Sequence, residues 1–561
     1  MKTRRITALL LCLLLVASCL LVACDTGGDD TSSGSAGTTS TSNNSGTADS
    51  KYLDDNGRYW PSYSDSMRES LIGDRTEFRV LVYDDTTQKT YYSEEIEPGK
   101  YTTTDAKLTE AVTERNNLVS EKLGIDVKAV YTDDVTTMMR QEMLAPSGTF
   151  DAAMPFLNGC ALLAQEGALY DLREFEEQGI IDLSAPWYDQ NANESLSIQN
   201  KIYFTVSDMS IMQKVVSIAM TYNPDLLASK YPDLDLLELV NNGEWTFDKL
   251  YEIGREFADD TNGDGLMDYN DTWGLVSATG DAVHFYIGAG EKLCTKDEND
   301  NPILAIGSTN SISVSQKILS TLQSNNWVSF AQDLTSQGVA ASDIWDVTLS
   351  IFGEGRAPFR VTAFSAIKKL RAYDIDYGIV PMPMVEESQD SYYTNCAALY
   401  AYGVVVPNFL SEDDAKFAAY MIDVLSAGGK QYIATAYYDQ ILKNKDALDV
   451  EILDMIFENI VYDVGIVYGF EGLGNIHTTL MTNKSTDIVS QLDTIRDAVN
   501  AKIEEVIEKY SKNRKNGDPN DPRFFFASAV YSEAFASVCW PSSRCAADSS
   551  TRTDKSCTSK Q

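Results

Sequence analysis

Hydrophobic and polar residues follow two spacings along the central part of this chain, one typical of strands and one typical of helices. Phe78–Tyr83 is a short β-rich run, and residues 125–131 place apolar side chains at mostly every second position. Between them, from Ala106 to Leu123, apolar residues recur at helical intervals, and Gly124 supplies a stop. The pattern therefore predicts a strand, a long helix and a second strand in this order.

The same alternation continues along the chain. Residues 150–155 read as another strand, followed by a helix that ends near Gly167. Repeated strand–helix–strand units favour a sheet with parallel strands and with helices packed on its faces. The predicted fold class is therefore α/β.

Helix starts and ends are readable in the second half of the chain. Thr246 should cap a helix, with Trp245 packing onto Leu250, so we interpret Trp245 as structural. Ser411 opens a similar helix, which we expect to end at Gly428-Gly429. A final amphipathic helix is predicted over 485–510.

A different pattern stands at the N-terminus, where a short basic start precedes an uncharged apolar run from Ile6 to Ala23. This order indicates a secretory signal over 1–23. Leu21-Val-Ala-Cys24 resembles the lipobox of bacterial lipoproteins, which implies that Cys24 is acylated and becomes the new N-terminus. Cys19 is a second possible site, and an uncleaved membrane helix is an alternative for the whole run.

The residues after Cys24 are polar and small. Positions 26–50 contain seven Ser, six Thr and five Gly, and such a stretch cannot bury enough surface to offset its ordering entropy. We therefore predict a lipid-anchored linker over 24–74, a globular body over 75–510 and an atypical, disordered tail over 511–561. The body should lie on the outer face of the cell membrane.

Composition narrows the chemistry of the body. The net charge of −38 argues against nucleic acid or an anionic membrane surface as a partner, since both need a cationic face. His284 and His477 are the two histidines of the sequence, which disfavours a zinc site built on several imidazoles. No nucleophile elbow, phosphate loop or HExxH helix is present.

A series of short motifs then carries a family resemblance. The motifs, in order, are Leu169-Tyr-Asp-Leu172, Asn200-Lys-Ile-Tyr-Phe204, Thr221-Tyr-Asn-Pro224, Gly243-Glu-Trp-Thr-Phe-Asp248, Asp376-Tyr-Gly-Ile-Val-Pro-Met-Pro383 and Val404-Val-Val-Pro407. The series resembles the extracellular solute-binding proteins of bacterial ABC importers, in the carbohydrate-associated group, over about residues 75–510.

The resemblance implies a two-lobed α/β fold of the periplasmic-binding-protein type, with a ligand cleft between lobes that close on the solute. We expect one lobe over 75–205 plus a later return and the other over 215–385, with the helices of 408–510 packing across both. The implied function is capture of a sugar or oligosaccharide and its delivery to the transmembrane subunits of an ABC permease, without catalysis. A lipid-anchored glycoside hydrolase and a receptor that presents ligand to a sensor remain alternatives.

Sugar sites need flat apolar rings together with carboxylates, amides or Arg for hydroxyl groups. We expect the segment 202–210 to lead into the hinge. Tyr203 and Asp208 lie near its two ends, and they are the preferred ligand contacts. The other candidates are Trp187, Trp273, Trp345, Asp346, Arg356, Tyr392 and Tyr393. For each aromatic residue the alternative is ordinary core packing, and Arg356 could equally be a surface or loop-pairing residue.

One acidic loop stands apart from these candidates. Oxygen-bearing side chains fall at loop positions 1, 3, 5, 9 and 12 and a glycine at position 6, as in the calcium loop of EF-hands. The predicted ligands are Asp260, Asn262, Asp264, the carbonyl of Leu266, Asp268 and Asp271. Asp271 departs from the usual Glu, and an ion-free Asp/Asn/Gly turn is the alternative. The predicted role of calcium is structural.

Overall fold

The computed structural model describes residues 50–86, 90–101, 105–442 and 449–512. The predicted signal segment, Cys24, the linker up to residue 49 and the tail from residue 513 lie outside these ranges. Within them, none of the helices has the length and apolar character required to cross a membrane.

The strands are short and are numbered here in chain order. They are β1 Glu77–Tyr83, β2 Asp126–Thr132, β3 Ala152–Ala153, β4 Ile218–Tyr222, β5 Leu275–Ser277, β6 Cys294–Lys296, β7 Pro302–Leu304, β8 Val328–Phe330, β9 Phe359–Ala363, β10 Gly378–Val380, β11 Thr394–Asn395 and β12 Ile460–Val461.

Helices account for most of the regular structure. They span Asp65–Ile72, Ala106–Leu123, Val135–Leu144, Leu157–Gln165, Leu172–Glu177, Gln190–Leu196, Met212–Val215, Pro224–Ala228, Leu236–Asn241, Phe247–Gly254, Ala282–Gly288, Thr309–Leu322, Ile344–Gly353, Phe364–Leu370, Glu412–Gly428, Thr435–Leu442, Val450–Glu458, Val464–Val467, Ile476–Thr482 and Ile488–Lys512.

The first lobe is built on a parallel sheet with the strand order β2-β1-β3. The central strand β1 is buried on both faces over Val80–Tyr83, as expected for a parallel strand covered by helices. Helix Ala106–Leu123 packs beside this sheet, and the ring of Phe417 from helix Glu412–Gly428 meets that of Phe78 at 5.8 Å. The three-stranded sheet is therefore covered by helices, one of which comes from a distant part of the chain.

The second lobe contains a mixed sheet with the order β10-β4-β9-β5-β8. The strands β9, β5 and β8 run parallel, whereas β4 is antiparallel to both β9 and β10. Helices Ile344–Gly353 and Phe364–Leu370 contact this sheet. The two sheets with their helices confirm the predicted α/β class.

Two neighbouring chain segments connect the lobes. Isolated antiparallel bridges pair Thr205 with Val404 and Ser217 with Cys396, so the segments 205–217 and 396–404 run side by side. The first segment leads into β4 of the second sheet, and the second leads to Val405, which pairs with Ala153 of β3. The final helix, Ile488–Lys512, contacts both helix Leu157–Gln165 and helix Thr309–Leu322.

The local signals in the sequence locate several elements accurately. Helix Ala106–Leu123 has the predicted bounds, with Gly124 in the left-handed conformation at its end. Thr246 Oγ1 accepts a hydrogen bond from the amide of Lys249, and Trp245 is fully buried, as predicted. The strand predicted over 150–155 is reduced to Ala152–Ala153.

The helix that starts after Ser411 does not end at Gly428-Gly429, so that prediction is wrong. It continues through a π-helical turn, Gly429–Ala434, into Thr435–Leu442. A Cβ atom on Gly429 would lie 1.8 Å from the carbonyl oxygen of Asp208, and one on Gly428 would lie 2.7 Å from Cγ of Arg115. The two glycines therefore permit close packing and do not act as a helix stop.

The segment 50–74, which we assigned to the linker, is folded, so the predicted end of the linker is also wrong. It contains helix Asp65–Ile72, capped by Ser64. The ring of Tyr52 meets Trp187 edge-on at 5.3 Å, and Tyr63 Oη donates a hydrogen bond to Asp423 at 2.5 Å. Aromatic side chains anchor this segment to the first lobe, whereas residues 26–49 contain none.

Candidate functional site

A cavity of about 3670 Å³ lies where the carboxyl ends of parallel strands from both sheets meet. Its lining includes Tyr83 at the end of β1, Asp133 after β2 and Phe156 after β3, together with Ser277 at the end of β5, Gln332 after β8 and Ala363 at the end of β9. Ligands of open α/β sheets bind at this end of the strands. The cavity is open to solvent, so its volume exceeds the roughly 300–1000 Å³ of enclosed small-molecule pockets.

The two connecting segments contribute to the same cavity. Val216 lines it from one segment, and residues 396–400 line it from the other. These segments join the two sheets, so a rotation of one lobe relative to the other would change their conformation. The cavity is therefore coupled by geometry to the orientation of the lobes.

One wall of the cavity is an aromatic platform, formed by Tyr400, Tyr91 and Phe156. The rings of Tyr400 and Tyr91 stack at 4.1 Å, and the edge of Phe156 meets Tyr400 at 6.0 Å. Tyr400 is 37% exposed although one face is covered by Tyr91. The Tyr400 ring is thus packed against two aromatic neighbours with part of its surface open to the cavity.

Two further large apolar side chains line the cavity with much of their surface open. Leu399 is 59% exposed and precedes the platform residue Tyr400. Trp345 is 45% exposed and stands in the first turn of helix Ile344–Gly353. Soluble proteins seldom leave large apolar side chains exposed together in a concave surface unless something binds there.

Polar side chains of the second lobe line the cavity as well: Asp281, His284, Arg360 and Asn395. The His284 Nδ1 and Asn395 Nδ2 atoms are 2.8 Å apart, and burial lowers the pKa of His284. The imidazole is therefore neutral at pH 7. Asp281 Oδ2 accepts hydrogen bonds from Ser277 Oγ at 2.8 Å and from the amide of Ala278 at 2.7 Å.

Arg360 lies on β9 and is 8% exposed. Its Nη1 donates to Thr362 Oγ1 at 2.6 Å, whereas its Nε atom is buried without a hydrogen-bond partner. The Oδ1 atom of Asn395 likewise has no partner. Buried polar atoms are nearly always hydrogen-bonded, so these two atoms mark positions where a ligand could complete the network.

Of the ligand candidates named from the sequence, Trp345 lines the cavity. Trp187 is 1% exposed, and its Nε1 donates to Asp423 at 2.7 Å. Tyr203 is 3% exposed and packs edge-on against Tyr510. Both rings belong to the core of the first lobe and offer no surface to a solute.

Asp208 does lie on a connecting segment, as expected, but its carboxylate is paired with Lys214 at 2.8 Å and with Lys430 at 3.8 Å. Tyr392 is buried and accepts a hydrogen bond from the amide of Trp245, and Tyr393 donates to Asp390. None of these side chains is part of the cavity lining.

The remaining candidates lie around the acidic loop or on the surface. Trp273 is buried beneath the loop and donates from Nε1 to the carbonyl oxygen of Asp268 at 2.9 Å. Arg356 donates to the carbonyl oxygen of Tyr269 and pairs with Glu354. Asp346 is exposed and pairs with Lys369 at 3.4 Å.

The oxygen atoms of the acidic loop accept hydrogen bonds from the loop's own backbone. Asp260 accepts from the amides of Gly263 and Gly265, both at 2.7 Å. Asp271 is fully buried and accepts from the amides of Thr261 and Asp268. Asn262, Asp264 and Asp268 each accept from the amide two residues further on, and Leu266 is 70% exposed.

These donors are the hard oxygen ligands that calcium prefers. Their arrangement is less favourable, because the described residues contain no group of three or more His, Cys, Asp or Glu side chains placed to hold a metal ion. Internal hydrogen bonds hold the loop conformation, and calcium binding stays a prediction.

The aromatic platform and the polar residues Asp281, Arg360 and Asn395 were not among the ligand contacts predicted from the sequence. One available signal was the run Phe359-Arg-Val-Thr-Ala363, in which a charged residue interrupts an apolar strand. Burial of a charged side chain in a strand costs free energy unless a partner compensates for the charge, so Arg360 could have been predicted to contact a ligand. Tyr400 carries no comparable signal, since its exposure depends on long-range packing.

A family model described as "Bacterial extracellular solute-binding protein" matches residues 99–424. This chain belongs to that family. The match includes Tyr400 and Phe156 of the platform, the polar residues of the second lobe and both connecting segments. Membership places the solute-binding protein outside the cytoplasm, and the family and fold are those of binding proteins. No curated protein matches the sequence.

Solved structures similar to this solute-binding protein share little sequence with it. A cyclo/maltodextrin-binding protein complexed with maltotetraose is 14% identical, with 79% of this chain and 99% of that chain covered and a TM-score of 0.48. The maltose/maltodextrin-binding domain MalE from Bdellovibrio bacteriovorus, bound to maltotriose, is 14% identical, with 76% and 100% covered and a TM-score of 0.45. UgpB from Mycobacterium tuberculosis, in complex with glycerophosphocholine, is 11% identical, with 78% and 100% covered and a TM-score of 0.49.

Proposed function

We propose that this protein captures a saccharide in the cavity between its lobes and delivers it to an ABC permease. The observation that carries the proposal is the aromatic platform of Tyr400, Tyr91 and Phe156 in a cavity that also exposes hydrogen-bonding groups of the second lobe. Pyranose rings present C–H faces to aromatic rings and hydroxyl groups to polar side chains. A saccharide can therefore use both kinds of surface at once.

The placement of the cavity explains how capture would be linked to delivery. The platform lies on the first lobe and its adjoining segment, whereas Arg360 and His284 lie on the second lobe. A solute held by both groups stabilises the closed arrangement, because it binds that arrangement better than the open one. The permease would then recognise the closed form.

The proposal treats the protein as a binder and not as a glycoside hydrolase. Glycoside hydrolysis requires two carboxyl groups that flank the scissile bond, about 5 to 9.5 Å apart. Asp281 in the second lobe is held by hydrogen bonds from Ser277 and Ala278, and the cavity lining also contains carboxylates of the first lobe, among them Asp133 and Glu166. Saccharide binding measured together with the release of reducing ends tests this distinction.

We further propose that Cys24 anchors the protein through a lipid. Incorporation of a labelled fatty acid such as palmitate should be seen in the wild-type protein and lost in Cys24→Ser, because Cys24 is the residue that would carry the lipid. Cys19→Ser is the matched control and should retain the label. Label retained in Cys24→Ser, or absent from the wild-type protein, would contradict the anchor.

Calcium in the loop 260–271 remains a proposal, with a structural role. If the ion binds with a Kd of 10–100 μM, 1 mM calcium should stabilise the protein by about 1.4 to 2.7 kcal/mol, since a native-state ligand stabilises by mass action. The increase in melting temperature should disappear in Asp264→Ala and persist in Asp346→Asn, whose side chain is exposed outside the loop. An equal increase in both variants, or none in the wild-type protein, would remove calcium from this loop.

A further inference from the structure

Arg360 is a buried cation without a matching anion. It lines the cavity at 8% exposure, and its recorded side-chain hydrogen bond is the one to Thr362. In the described part of the chain it forms no ion pair within 4.0 Å, and its Nε atom has no partner. The guanidinium group carries five N–H donors in a planar fork, so most of its binding capacity is unused by the protein.

The charge on this group persists at neutral pH. Burial lowers the pKa of Arg360 to about 10, which still leaves the guanidinium protonated at pH 7. Asp281 acts on it electrostatically but lies beyond ion-pair distance, and one oxygen of Asp281 already accepts two hydrogen bonds. A buried charge is costly until an opposite charge or several hydrogen bonds compensate for it.

A second buried arginine shows what structural use of this side chain looks like in the same protein. Arg115 is fully buried away from the cavity. Its Nη2 donates to the carbonyl oxygens of Glu95 at 2.6 Å and Ile96 at 3.3 Å and its Nε donates to Asn116 at 3.0 Å, whereas its Nη1 has no partner. Its stem packs against Gly428. Arg360 has no such set of backbone acceptors, and it faces the cavity instead.

Asn395 supplies a complementary observation. It is 2% exposed and lines the same cavity, and its Oδ1 atom has no hydrogen-bond donor. The cavity therefore offers an unused cationic donor at Arg360 and an unused neutral acceptor at Asn395. A solute that carries an oxyanion and a hydroxyl group would satisfy both.

We infer that the solute is an acidic saccharide, whose carboxylate binds Arg360 and one of whose hydroxyl groups donates to Asn395. The inference rests on the proposed function and narrows its substrate class. Planar guanidinium and carboxylate groups can form two parallel hydrogen bonds, which gives a strong and directional contact. The net charge of −38 does not favour the approach of an anion, so selectivity has to come from this local contact.

Calorimetry with a galacturonic acid trisaccharide and its carboxyl-reduced, neutral counterpart tests the inference on the wild-type protein. The acidic trisaccharide should bind at least about tenfold more tightly than the neutral one, because only a carboxylate adds an opposite charge and a bidentate geometry to the hydrogen bonds from Arg360. Arg360→Gln should abolish this preference by weakening the acidic ligand. Arg68→Gln makes the same charge change at a partly exposed residue outside the cavity, paired with Asp65, and should leave the preference intact.

The possible outcomes separate this inference from the proposed function. Equal or tighter binding of the neutral trisaccharide overturns the acidic solute and leaves saccharide capture standing. Failure of every acidic and neutral saccharide to bind overturns both. A sulfated or phosphorylated sugar could instead bind more tightly than the uronate and lose this gain in Arg360→Gln. That result would support an oxyanion bound to Arg360 but reject a carboxylate as that oxyanion. If Arg360→Gln does not fold, the comparison of the two ligands on the wild-type protein still decides.

Discussion

Tyr400→Ala is expected to weaken saccharide binding by about 10- to 100-fold while the protein remains folded, as for a central aromatic contact. Tyr91 covers one face of the Tyr400 ring at 4.1 Å and fixes its orientation, and the ring is 37% exposed. Truncation removes the flat surface on which a pyranose would stack. The substitution should lower the affinity for the saccharide and leave the stability of the fold nearly unchanged, because a side chain this exposed contributes little to the core.

Calorimetry with the tightest-binding saccharide would measure this effect. Tyr393→Ala is a matched control, because Tyr393 is also a partly buried tyrosine of the second half of the chain but does not line the cavity. Tyr400→Phe should bind nearly as well as the wild-type protein, since it keeps the ring. Equal losses in Tyr400→Ala and Tyr393→Ala would argue against the platform.

The free energy of unfolding is expected to fall as pH rises from about 4 to 7, with Asp423 as the main cause. Asp423 is fully buried, and desolvation raises its pKa from 3.8 to about 7. Tyr63 and Trp187 donate hydrogen bonds to it, but both are neutral and do not supply an opposite charge. Burial therefore favours the protonated carboxyl group in the folded protein.

The direction follows from proton linkage. Between the two pKa values the folded protein holds a proton that the unfolded chain has released, so stability is full below about pH 4 and is lost as pH rises through 7. The slope from one such group is at most about 1.4 kcal/mol per pH unit. Urea unfolding at a series of pH values should show this fall in the wild-type protein.

Asp423→Asn should flatten the fall between pH 6 and 7, since the amide does not titrate. Asp463 is buried too, with its pKa raised to about 6 by desolvation, so part of the slope below pH 6 should remain in that variant. The same slope between pH 6 and 7 in both proteins would show that Asp423 does not titrate there.

Much of the architecture could be predicted because its signals are local. The apolar spacing and Gly124 gave the bounds of helix Ala106–Leu123, and Thr246 identified a helix start. The prediction was wrong where a residue type serves a contact with a distant part of the chain. Gly428-Gly429 reads as a helix stop, but the pair is small because Arg115 and Asp208 pass close to it.

The candidate site could be predicted only in part. Trp345 lines the cavity, as predicted. Trp187 and Tyr203 lie in the core instead, because they contact residues far along the chain: Trp187 contacts Asp423, and Tyr203 contacts Tyr510. Which aromatic rings remain open depends on how the lobes pack, and periodicity carries no such information. Composition misled the linker boundary as well, because the polar run gives way to the aromatic anchors Tyr52 and Tyr63 before the first strand.

The most direct test of saccharide capture is calorimetry with an oligosaccharide panel on the purified protein, followed by assay of each mixture for newly released reducing ends. The proposed function predicts saturable binding of at least one saccharide at a stoichiometry of one per chain, with the saccharide recovered intact. Binding accompanied by release of reducing ends, or binding of no saccharide in the panel, would contradict it.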